Sequence, residues 1–97
     1  MEEEQLKRLQ SLYAGRHKSF LAAQHSRDYA AMERAGTLES YLRTIGEQAA
    51  DYYQTLENQM LEKSQEIENP RDREAYINRI PFTVAELVRE DVLHVKP

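Results

Sequence analysis

The strongest constraint on this chain is a ladder of apolar residues: Ala31, Ala35, Leu38, Leu42, Ile45, Ala49, Tyr52 and Leu56, spaced alternately by four and three. That alternation is the seam of a helix lying lengthwise on another helix, since residues three and four apart share one face of a turn of about 3.6 residues. A sandwich or barrel needs period-two strands and frequent turns. With three Gly and three Pro in 97 residues, the chain lacks the turns. The expectation is an all-α fold, an elongated antiparallel helical hairpin carried in one domain, 1–97.

A second ladder precedes the first. Leu6, Leu9, Tyr13, Arg16, Phe20 and Ala23 share a helical face and predict a short helix over about 3–24. Gly15 weakens it by up to about 1 kcal/mol relative to Ala. Its phase continues to Arg27, Ala30 and Arg34, one residue out of register with the following ladder, or about 100° around a helix. A break at Gln24-His25-Ser26 resolves the mismatch, with Ser26 as N-cap and Asp28 in the dipole-favoured first turn. A long helix is then expected over about 27–67. Gly36-Thr37 is a competing stop, because Gly suits a C-terminal cap and Thr an N-cap. The ladder holds its phase through that pair, which favours continuity and a rod about 60 Å long.

Two short covering helices are expected over 69–93. Asn69-Pro70 sets an N-cap before a proline at the first helical position, where the missing N–H costs nothing. Ala75, Tyr76 and Ile80 form an apolar edge, and Pro81 is expected to stop that helix. Thr83 and Glu86 then make a capping box, with Phe82 able to staple onto Leu87. Val84, Leu87, Val88 and Asp91 share a face of the last helix, and 94–97 read as an extended tail.

The net charge of −4 is unevenly spread. Residues 5–34 carry Lys7, Arg8, Arg16, Lys18, Arg27 and Arg34 against Asp28 and Glu33. Residues 35–70 carry Arg43 and Lys63 against Glu39, Glu47, Asp51, Glu57, Glu62, Glu66 and Glu68. A basic helix followed by an acidic one reads first as two arms of a hairpin attracting each other. The sharper reading is anion or nucleic-acid contact through Lys7, Arg8, Arg16, Lys18 and Arg27, although the acidic neighbour largely cancels that field. The converse, an acidic mimic of nucleic acid built on Glu39, Glu47, Asp51, Glu57 and Glu62, is opposed by the modest total charge.

Catalytic chemistry finds no constellation. Without cysteine there is no thiolate nucleophile and no Cys-based zinc site, and the composition fits a reducing cytoplasm. His94 follows Asp91 and Glu90 at helical spacing, but a di-iron bundle needs two acid-x-x-His units, and this is one at a helix end. His17 and His25 are two turns apart and read as surface residues. Neither a phosphate-binding Gly loop nor a Ser–His–acid motif is present. The all-α nucleotide pyrophosphatases hold magnesium with Glu-x-x-Glu units, whereas Glu47-x-x-x-Asp51 and Glu62-x-x-x-Glu66 have the wrong spacing. No enzyme, metal or cofactor is expected. The acidic start Glu2-Glu3-Glu4 is unlike a signal peptide, and no apolar run approaches about 20 residues, so neither export nor a membrane partner is expected.

The run Arg27-Asp28-Tyr29-Ala30-Ala31-Met32-Glu33, after a short helix and before a long one, resembles small helical chaperones of flagellar or type III export over about 40 residues. The resemblance implies a helical protein-binding cap. Composition points the same way. Six tyrosines stand against no Trp and two Phe, and Tyr is common at protein interfaces. A first helix of this length leaves Leu56, Met60, Leu61 and Ile67 of the rod uncovered, with Tyr41 and Tyr53 widening the stripe. The expectation is a protein–protein interaction module, whether adaptor, chaperone-like cap or small regulator, whose exposed seam docks a protein partner or pairs with a second copy.

Overall fold

The computed structural model describes residues 2–95. Among them are four α-helices and one π-helical turn, with no strand: α1 (Glu3–Gln24), α2 (Ser26–Ala35), α3 (Leu38–Ser64), α4 (Pro70–Val88) and the turn Arg89–Leu93. The all-α class and the first helix agree with the sequence reading. Helix α3 is the spine. α1 lies antiparallel along its N-terminal half, and α4 returns along its C-terminal half, so both arms pack on one central helix.

The single helix expected over 27–67 is corrected to two. Gly36 adopts φ 74°, the left-handed conformation open to glycine. Its N–H bonds the Glu33 carbonyl at 3.2 Å, while the Thr37 N–H reaches Met32 at 3.0 Å, the paired closure of a Schellman cap. The ladder misled because Ala31 and Ala35 bury too little area to outweigh their neighbours. Both are exposed, and α2 instead turns Tyr29 and Met32 onto Leu21, Leu38 and Leu42. The break near Gln24-His25-Ser26 is present, with His25 rather than Ser26 at the cap position.

The two short C-terminal helices are corrected to one. Asn69 caps α4 as expected, its side chain accepting from the N–H groups of Arg71 at 2.9 Å and Asp72 at 3.2 Å. The chain then runs helically through Pro81. An interior proline costs about 3 kcal/mol. Breaking there would rotate Ile80 away from Val84 and Val88, three fully buried side chains that each contribute about 1.5–3 kcal/mol by burial. The continuous stripe wins. Thr83 therefore sits inside the helix, and Phe82 is 78% exposed instead of stapled to Leu87. Asn69→Ala should lower stability by about 1 kcal/mol in urea unfolding, and an unchanged midpoint would remove the cap's role.

The extents are 55 × 27 × 14 Å, with a radius of gyration of 16.2 Å against about 12.5 Å for a compact chain of this length. The thin dimension is about what two packed helices span between outer Cα atoms. Every helix therefore keeps a solvent face. Two apolar clusters fill the interior. Tyr13, Ala49, Ile80, Val84, Val88 and Leu93 join α1, α3, α4 and the π turn, while Leu21, Leu38 and Leu42 join α1 to α3 under α2.

Candidate functional site

The buried stripe of α1 is Tyr13, His17 and Leu21, at steps of four. The sequence ladder placed Arg16, Phe20 and Ala23 there. In the structure Arg16 and Ala23 are exposed and Phe20 is half-buried, because the inward face slants one residue toward His17. His17 is corrected from a surface residue to a fully buried one. Its Nδ1–H donates to the Leu93 carbonyl at 2.7 Å, since that oxygen can only accept. Nε2 then accepts from the Tyr41 hydroxyl at 2.9 Å. One imidazole so ties α1 to α3 and to the π turn.

The electrostatics favour this arrangement. Burial pushes the His17 pKa below its ordinary value, the Leu93 carbonyl acts against that, and nearby His94 and His25 push further down. Burial also raises the Tyr41 hydroxyl pKa, which keeps its proton available for donation. All three histidines surround Phe20, with ring centroids 5.9 Å away for His17, 5.3 Å for His25 and 4.9 Å for His94. His94 stacks on Phe20 at 9° between planes.

The π turn makes this closure possible. The His94 N–H bonds the Arg89 carbonyl five residues back at 2.8 Å, so the turn is widened by one residue. Leu93 drops into the core at 1% exposure, and Asp91 accepts from the Tyr52 hydroxyl at 2.6 Å. That hydrogen bond, with Asp91's charge and some burial, raises the Tyr52 pKa. The extended tail expected from residue 94 is corrected for His94, which folds back onto Phe20. Lys96 and Pro97 lie outside the described residues.

The residues expected to form a docking seam are placed as follows. Tyr41 and Tyr53 are half-buried, one on His17 and the other 6.4 Å from Tyr13. Leu56 and Met60 pack on the α3–α4 core, so α4 covers what a longer rod would have exposed. Ile67 is half-buried, with its carbonyl accepting two bonds from the Arg73 guanidinium. Leu61 alone of this set is open, at 40% exposure. The five basic residues are all exposed without sharing a face. Lys7, Lys18 and Arg8 span about 100° of α1, with Arg16 about 180° from Lys7. Arg27 stands on α2, Lys7 lies 3.6 Å from Glu3, and Arg16 lies over the Tyr13 ring.

The surface that sequence reasoning missed is an open groove of about 1350 Å³ between α1 and the C-terminal half of α4. Leu12, Gly15 and Phe20 line one wall, and Pro81, Phe82 and Ala85 the other. Phe82 at 78% and Leu12 at 48% are its most exposed apolar side chains. The signal was present in the sequence. Phe82 falls outside the Ile80–Val84–Val88 stripe, and a phenylalanine opposite a buried face has no intramolecular home. Among the described residues no cluster of three or more His, Asp or Glu is placed to hold a metal ion, and no helix is long and apolar enough to cross a membrane.

A comparison with curated proteins and one with solved structures each returned no match. A family profile described as "Transposon-encoded protein TnpV" matches residues 1–93. This match, rather than the export-chaperone resemblance of residues 27–33, sets the kinship. It runs through all four α-helices and the π turn that closes on His17, and ends just before His94. The chain therefore belongs to the TnpV family of transposon-encoded proteins.

Proposed function

We propose that the chain is a non-enzymatic helical interaction module, an adaptor or small regulator working in the cytoplasm, that docks a protein on the α1–α4 groove. The observation that carries this is the placement of Phe82 and Leu12. Large apolar side chains held outward on both walls of one open concavity are uncommon on soluble monomers unless something covers them. The polar atoms inside the fold support the same reading. No buried side-chain polar atom among the described residues lacks a partner, and His17 and Tyr41 are engaged in closing the fold, as is the exposed Asp91 through the Tyr52 hydroxyl. The family's description as transposon-encoded supports a search for the partner among proteins expressed alongside such an element.

The test is a photo-crosslinking amino acid introduced at Leu12 or Phe82, with Asn58 on α3 as the control position. Adducts of defined mass from the two groove positions and none from Asn58 are expected in the native host. Equal labelling from all three positions would overturn the assignment of the face.

The family description also gives a reason to keep nucleic acid as the second reading, through Lys7, Arg8, Lys18, Arg16 and Arg27. Cations spread around α1 and α2 predict weak, sequence-independent binding that fades steeply with salt. A gel shift at low salt with duplex DNA should give at most a diffuse complex. A tight, sequence-selective complex would move this reading into first place.

A further inference from the structure

The groove carries its own complement. Phe82 projects from one wall as a knob, and Gly15 on the other wall is a hole, since a Cβ built there meets nothing within 4 Å. The neighbours of Gly15 along the wall, Ser11 and Ser19, are small. The rim holds both signs of charge, Arg16 and Arg89 with Glu86. A face that contains knob, hole, cation and anion together is what a twofold interface requires, because each patch must meet its own copy.

The area points the same way. The chain exposes 7029 Å², whereas a compact protein of 11.4 kDa exposes about 5,800 Å². The excess is somewhat more than the roughly 800 Å² that each partner contributes to a stable interface of standard size. A slab 14 Å thick gains from being doubled face to face.

We propose that a second copy of this chain occupies the groove, with each Phe82 seated over Gly15 of the other across a twofold axis. This rests on the reading of the groove as a protein-docking face and names its occupant. It relocates self-association from the Leu56–Met60 seam, which α4 covers, to the opposite side of α4.

Sedimentation equilibrium of the full chain from low to high micromolar concentration tests it. The expected mass is twice 11.4 kDa at the upper end. Phe82→Glu should weaken the dimer at least about thirtyfold, the size of a central anchor residue. Gly15→Gln should weaken it comparably by filling the hole. Its own melting temperature at low concentration should hold or rise, because the site is open and Gly is a poor helix former. That pairing separates loss of an interface from loss of the fold. A mass fixed at 11.4 kDa overturns the proposal, as does a dimer untouched by Phe82→Glu and Gly15→Gln but broken by Leu61→Glu. A monomer whose groove positions still crosslink another protein sinks the second copy and leaves the docking function standing. A monomer with no groove-specific adduct sinks both.

Discussion

Gly46→Ala should lower the stability of this chain by about 2 kcal/mol, the opposite of what helix propensity predicts. On propensity alone, alanine in the middle of α3 gains about 1 kcal/mol. Gly46 is where α3 comes closest to α1. An added Cβ would overlap the Gln10 main-chain carbonyl oxygen and stand 3.2 Å from the Ala14 Cβ. A carbonyl inside a helix cannot swing aside alone, so the two helices must separate and loosen the packing at Tyr13, Ala49 and Ala50. A fall of about 10 °C in melting temperature is expected for a chain of this size. Gly15→Ala is the internal control. At a concentration low enough to keep the chain monomeric it meets open space and should raise the melting temperature by several degrees. Two glycines, one substitution and opposite signs are readable by circular dichroism. A stabilised Gly46→Ala would mean that α1 and α3 do not pack through this contact.

His17→Leu should cost about 2–3 kcal/mol, because it leaves the buried Leu93 carbonyl without its donor and cuts the tie between α1 and the π turn. It should also change the pH profile. The native His17 resists protonation chiefly because it is buried, so its pKa lies below the unfolded value of about 6.5. The unfolded chain thus binds this proton more readily than the folded one, and stability rises with pH across that window. Its share is fully present above about pH 7 and is lost as pH falls from about 6.5 toward the folded pKa. Denaturant unfolding at pH 5, 6, 7 and 8 should therefore give a shallower slope for His17→Leu than for the native chain. Equal slopes would show that His17 does not carry this titration.

How much of this was legible in advance depended on side-chain size. The α1 boundaries, the Asn69-Pro70 start and the packing of Leu38, Leu42 and Ala49 follow directly from apolar spacing and capping chemistry. The continuity of 27–67 did not hold because its ladder rested there on Ala31 and Ala35, residues with too little surface to set a helix face. His17 was hidden because a histidine scores as polar, yet here both ring nitrogens are satisfied inside. Pro81 and the Thr83–Glu86 pair were persuasive local signals, overridden by three aliphatic side chains acting over two turns. The groove needed the third dimension, since Leu12 and Phe82 are 70 residues apart and nothing in their local patterns links them.

The π turn Arg89–Leu93 also says where this protein's length can vary. Elsewhere in a packed helix, losing one residue swings everything beyond it by about 100° and takes the buried stripe out of the core. At the π turn the chain already carries one residue more than α geometry needs. Removing a residue between Arg89 and Asp91 would let the segment relax to an ordinary helix, with Val88 and Leu93 each keeping the direction it faces. Across descendants of this sequence, single-residue losses within the helical body should collect at this turn, where they would shift Arg89 and His94 at the groove's end without disturbing the fold that supports it.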